Sequence, residues 1–68
     1  MAIKVILNGR EEVLPEGVTV SGLVSLKGIN PDTVIVEHNG SLLKKDDWSG
    51  IALKENDRIE ILRFVGGG

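Results

Sequence analysis

Gly66-Gly67-Gly68 follow directly on the apolar strand end Leu62-Arg63-Phe64-Val65. Glycine lacks a Cβ and has the widest backbone freedom of any residue, so this run cannot build a packed element. The residues alone leave two readings open. One is a frayed terminus, since chain ends are commonly disordered. The other is a thin, extendable arm that threads a narrow channel in another protein and presents the carboxylate of Gly68 there. The absence of side chains would serve such an arm twice. The channel can be tight, and nothing shields the carboxylate from an attacking group.

Other chemistry is sparse. His38 is the sole histidine and there is no cysteine, so a His–Cys dyad, a thiolate zinc site, a disulfide framework and a persulfide-bearing cysteine are all excluded. His38 lies inside an expected strand and reads as a partly exposed strand residue. Glu11-Glu12 and Asp46-Asp47 are adjacent carboxylates, but sequence neighbours on extended chain point apart, which makes them solvated edge and turn charges. No spacing matches a phosphate-binding glycine loop or a metal motif. The sequence therefore points to no enzyme active site and no bound metal or cofactor.

The elements that must carry the tail follow from periodicity and turn chemistry. Ile3 to Leu7 alternates as a strand, with Ile3, Val5 and Leu7 on one face. Asn8-Gly9 is a hairpin signal, because both residues tolerate positive φ. A two-residue turn would set Val5 opposite Glu12, so a loop of Asn8-Gly9-Arg10 that sets Val5 opposite Val13 is expected instead. Pro15-Glu16-Gly17 then breaks the return strand, and Thr19 is a helix N-cap. Val20, Leu23, Val24 and Lys27 keep helical spacing, with Leu26 flanking the stripe. Gly28 fits the position just past the helix end and Pro31 prevents resumption.

Val34 to His38 reads as a strand, returning at Asn39-Gly40 through Ser41-Leu42-Leu43. Lys44 to Gly50 is polar except for Trp48 and reads as a turn or short 3₁₀ segment. Arg58 to Phe64 is the last strand, with Ile59 and Ile61 on one side and Leu62 and Phe64 on the other. Hairpin, helix, hairpin and final strand make an α+β fold, one helix covering one face of a mixed sheet. Ile6, Ile35, Leu62 and Phe64 have the parity opposite to the helix-facing residues. They form a candidate apolar docking patch on the uncovered face, beside the tail.

Length and charge bound the rest. Sixty-eight residues make one domain with a thin core. Apolar residues at 41% and charged residues at 26% are an ordinary globular balance. A net charge of −2, with Lys44-Lys45 the longest basic run, argues against nucleic acid or an anionic membrane as partner. The start Met1-Ala2-Ile3-Lys4 has no secretory pattern, so a cytoplasmic protein is expected; the free chain is also expected to be a monomer.

Four stretches carry a family resemblance. They are Val34-Ile-Val-Glu-His-Asn-Gly40, Leu43-Lys-Lys-Asp-Asp-Trp48, Leu53-Lys-Glu-Asn-Asp57 and Ile59-Glu-Ile-Leu-Arg-Phe-Val-Gly-Gly-Gly68. With Asn8-Gly9 and the Thr19-led helix, they resemble the thiamin-biosynthesis sulfur carrier family, ThiS, over essentially the whole chain. The pattern departs at Lys44-Lys45, where an arginine is common, and at Gly22 and Ser25, where longer residues are usual.

The resemblance implies a ubiquitin-like β-grasp domain over residues 1–65, with a four- to five-stranded sheet and a flexible glycine tail at 66–68. It further implies that an E1-like adenylyltransferase, consuming ATP, activates the Gly68 carboxylate. Sulfur from a cysteine desulfurase then converts it to a thiocarboxylate, which serves thiazole synthase. Gly66 and Gly67 would be the arm, and the chain a cosubstrate rather than a catalyst. The alternatives are a related carrier (the small subunit of molybdopterin synthase, or a carrier for cysteine or tRNA thiolation), a ubiquitin-like modifier, and a plain β-grasp interaction module.

Overall fold

The computed structural model describes residues 1–64. Strand β1 (Ala2–Leu7) and strand β2 (Arg10–Pro15) form the first hairpin, and helix α1 (Val20–Leu26) follows. After a 3₁₀ turn at Pro31–Thr33 come β3 (Val34–His38) and the short β4 (Ser41–Leu42). A second 3₁₀ turn at Lys45–Gly50 leads on to β5 (Arg58–Arg63). The strands make a five-stranded sheet in the order β2-β1-β5-β3-β4. β1 and β5 run parallel and the other neighbours antiparallel. The last strand in sequence is therefore the central strand in space. No helix among the described residues is long and apolar enough to cross a membrane.

Helix α1 starts where its chemistry allows. Thr19 is extended, and its hydroxyl accepts from the Gly22 N–H at 3.0 Å, satisfying one of the helix's orphan donors. A Cβ at Gly22 would come within 3.1 Å of Val18 Cγ2, a tight contact, and 3.4 Å of the capping Thr19 Oγ1, so the first turn is closely packed there. At the other end Gly28, at φ 66°, takes the left-handed position and donates to the Ser25 carbonyl. Val20, Leu23 and Val24 are buried, whereas Leu26 is exposed. They meet Val5, Leu14, Val36, Ile59 and Ile61 from the sheet to form the core. Trp48 and Leu53 close that core from the side, and the Thr19–Ala52 bridge ties the helix start to the chain that leads there.

The first hairpin differs from the sequence expectation. Its turn is the two-residue Asn8-Gly9, with Leu7 opposite Arg10 and Val5 opposite Glu12, not Val13. Both turn residues have positive φ, 50° and 82°, the geometry whose twist matches the flanking strands. Leu14, opposite Ile3, supplies the buried apolar residue of β2, while Val13 faces outward at 71% exposure. Glu12 is tolerated on the helix side because β2 is an edge strand. Its carboxylate reaches the sheet margin and forms an ion pair with Lys27 at the helix end.

Candidate functional site

Everything the sequence assigned to the tail rests on β5, whose alternation divides its work. Ile59 and Ile61 face the core, and Arg58, Glu60 and Leu62 face the uncovered side of the sheet. Leu62 lies directly opposite Ile35 on β3, and the Phe64 N–H donates to the Thr33 carbonyl, so Phe64 continues the same row. Ile35, Leu62 and Phe64 are 36%, 42% and 47% exposed and form one apolar surface at the outgoing end of β5. Leu42 adds a further exposed apolar side chain across β3, opposite Glu37.

Ile6 does not join this group. It pairs with Arg58, four residues back along β5 from Leu62, or about 13 Å. Between the two levels Glu37 and Glu60 stand directly opposite each other on the outer face. Neither carboxylate has an ion-pair partner among the described residues. Val65 and the expected tail Gly66, Gly67 and Gly68, with its carboxylate, lie outside the described residues.

Asparagines that the sequence marked only as turn formers hold β5 in place. In the second hairpin, Asn39 Oδ1 accepts from the Arg58 N–H at 2.8 Å, and the Asn39 N–H donates to the Arg58 carbonyl at 2.8 Å. In the first, Asn8 Oδ1 accepts from the Ile61 N–H at 2.8 Å. Sequence gave no signal for these contacts beyond the Asn-Gly pairs themselves, because the partners are 19 and 53 residues away.

His38, the one candidate for side-chain chemistry, is committed elsewhere. Its Nε2 lies 2.9 Å from Asp57 Oδ2, and the same carboxylate accepts from the Lys54 N–H at 2.9 Å and from Asn39 Nδ2 at 3.2 Å. Burial of Asp57 pushes its pKa up, but the hydrogen bonds from His38, the Lys54 N–H and Asn39, with the charge of His38, outweigh this. They hold the pKa below the ordinary 3.8. The cluster closes the turn into β5 and engages Nε2 of the imidazole. Of the adjacent carboxylates, Glu11 pairs with Lys4 across the outer face and Glu12 with Lys27, while Asp46 and Asp47 are exposed in the second 3₁₀ turn. Lys45 pairs with Asp32. Trp48 is 4% exposed, and its indole N–H has no partner among the described residues.

A mixed five-stranded sheet with the last strand at its centre and one helix across one face defines a ubiquitin-like β-grasp domain. The chain superposes on the crystal structure of a thiamine biosynthesis protein (ThiS) from Geobacter metallireducens. The TM-score is 0.85 and the identity 32%, covering 97% of this chain and all of that one. The sequence model of the ThiS family matches residues 2–68, and the chain belongs to that family.

A sulfur carrier protein ThiS from Bacillus subtilis is 36% identical over 50 residues, 74% of this chain and 76% of that one. Two thiazole synthases are also similar: that of Magnetococcus marinus at 35% and that of Paramagnetospirillum magneticum at 32%, each over 66 residues. Those residues are 97% of this chain but 20% of each synthase, so the chain spans a fifth of their length.

Proposed function

We propose that this chain is a sulfur carrier for thiamin thiazole formation, and that its working group is the carboxylate of Gly68. The observation that carries the reading is the family match, which runs through residue 68 and so includes the glycines. A carboxylate is a poor electrophile until it gains a good leaving group. An E1-like adenylyltransferase would supply one by joining the Gly68 carboxylate to the AMP moiety of ATP, with release of pyrophosphate. Persulfide sulfur originating from a cysteine desulfurase would then attack the acyl-adenylate and displace AMP. Cleavage of the resulting acyl disulfide by a thiol reductant, itself oxidised to a disulfide, would leave a thiocarboxylate on Gly68. With no cysteine in the chain, a persulfide or a cysteinyl thioester on its own side chains is excluded, so the sulfur would be carried on a carboxyl group.

Thiazole synthase is the proposed acceptor. Supporting this, two thiazole synthases contain a region similar to nearly the whole of this chain. The proposed docking surface is Ile35, Leu62 and Phe64, which adjoin one another where β5 hands the chain on. Ile6, at the level of Arg58, belongs to the same face but would contact a different part of a partner.

Deletion of Gly67-Gly68 tests the working group. The expected result is an unchanged fold, no ATP–pyrophosphate exchange with the adenylyltransferase, and no oxygen-to-sulfur mass shift. Two residues span up to about 7 Å, and a misplacement of about 1 Å can cost a hundredfold in rate. Normal adenylation and thiolation of the truncated chain would sink the reading. A native mass showing an isopeptide-linked conjugate would favour the modifier instead.

A further inference from the structure

The parallel ladder between β1 and β5 is short: Ile6 pairs with Arg58 and Leu7 with Ile59, and then β1 turns away at Asn8-Gly9. β5 continues to Arg63, accompanied by β3 on one edge. On the other edge its next outward-pointing backbone groups belong to Ile61, and Asn8 takes both. The Asn8 N–H donates to the Ile59 carbonyl at 2.9 Å, completing the backbone ladder. Its side chain then goes one rung further: Oδ1 accepts from the Ile61 N–H at 2.8 Å and Nδ2 donates to the Ile61 carbonyl at 3.3 Å. A carboxamide has the donor–acceptor layout of a peptide group, so Asn8 stands in for a strand residue that β1 lacks.

We propose that Asn8 is a positioning residue for the working end of the chain, its amide replacing the missing rung beside Ile61 and holding Leu62 to Phe64 in line. The role rests on the carrier reading above. Without the amide, Ile61 would present an unpaired N–H and carbonyl at a partly buried edge, where satisfied groups are the rule. The strand from Ile61 onward would then be paired on one side alone. That segment carries Leu62 and Phe64 of the apolar surface and leads directly into the glycines. A segment ordered for part of the time binds with an affinity reduced by that fraction. The strand is reordered once bound, so the loss falls on KM and not on kcat.

Asn8→Gly isolates the amide, because glycine accepts the φ of 50° without strain and keeps the turn. Amide exchange and steady-state adenylation, followed by pyrophosphate exchange with the cognate adenylyltransferase, are measured on the full chain. The expected result is exchange at Ile61 faster by about tenfold or more, the scale of one lost net hydrogen bond. Val5 and Val36, in the core, should speed up by no more than the loss of global stability accounts for, whereas Ile61, left unpaired in the folded state, should exceed it. KM for the carrier should rise about three- to tenfold at unchanged kcat. Asn8→Asp, which retains an acceptor for the Ile61 N–H, should fall between wild type and glycine in both readouts.

Wild-type exchange at Ile61, or a rise there no larger than at Val5 and Val36, overturns the local role. Faster exchange at Ile61 with unchanged KM overturns the positioning role. A wild-type chain that is not adenylated at all overturns the carrier reading on which the role depends, while the exchange data still decide whether Asn8 holds the strand.

Discussion

The two Asn-Gly hairpins have almost the same backbone and different wiring. Asn8 and Asn39 both sit at φ 50°, followed by Gly9 at 82° and Gly40 at 87°. Each asparagine reaches the central strand, from opposite edges and at opposite ends: Asn39 at Arg58, Asn8 at Ile61. At Arg58 the contact belongs to a cluster, because the Asp57 carboxylate also gathers His38, Asn39 and the Lys54 N–H. At Ile61, among the described residues, one side chain does the holding. Beyond the ladder with β3, side chains hold the strand redundantly where it enters the sheet and by one amide toward the end where it leaves. An identical turn signal thus acquires its meaning from whichever strand end lies opposite.

Removing the hub of the redundant end should have the largest effect. Asp57→Ala withdraws the acceptor of three hydrogen bonds. Bonds to a charged group are worth about 1.5–3 kcal/mol and do not simply add, so a loss of about 3 kcal/mol in urea unfolding is expected. A loss smaller than that of Asn8→Gly, expected at about 1–2 kcal/mol, would reverse the ranking of the two ends.

The same carboxylate should make the entry end sensitive to acid. Its folded pKa lies below the ordinary 3.8, so the folded state binds this proton less readily than the unfolded chain. The stability it contributes is therefore full above the unfolded value and is lost as pH falls through the folded one. Urea midpoints should drop below about pH 4. Asp57→Asn should make that drop shallower, and Asn8→Gly should leave its shape unchanged. Equal acid limbs in wild type and Asp57→Asn would show that the cluster is not the sensitive element.

Coupling should separate the ends more finely. In double-mutant cycles Asn39→Gly and Asp57→Ala should interact by about 1 kcal/mol, whereas Asn8→Gly and Asp57→Ala should add within about 0.5 kcal/mol. Strong coupling of the second pair would mean that β5 responds as one rigid unit.

The smallest effect is expected between the ends, on the outer face. Glu60 and Glu37 are directly opposed, and like charges in that position are destabilising. Glu60→Lys should raise stability by about 0.5 kcal/mol at low salt, with the gain shrinking as salt is added. A loss of stability would show that the pair is compensated from elsewhere.

Much of this molecule could be read along the chain because it depends on dihedral preference and on period. Positive φ at Asn8-Gly9 and Asn39-Gly40, the Thr19 cap and the Gly28 stop are properties of a few adjacent residues. The division of β5 and the residue after it into buried Ile59 and Ile61 and exposed Leu62 and Phe64 follows from alternation alone. Tertiary structure decided the register of the first hairpin. The rule against an inward charge disfavoured Glu12 opposite Val5, but β2 lies at the sheet edge and Lys27 comes to meet that carboxylate. It also decided which strand each asparagine serves and that Ile6 stands apart from Leu62. These depend on strands brought side by side across as many as 53 residues. A local pattern fixes which way a side chain points, and only the assembled sheet determines what it meets.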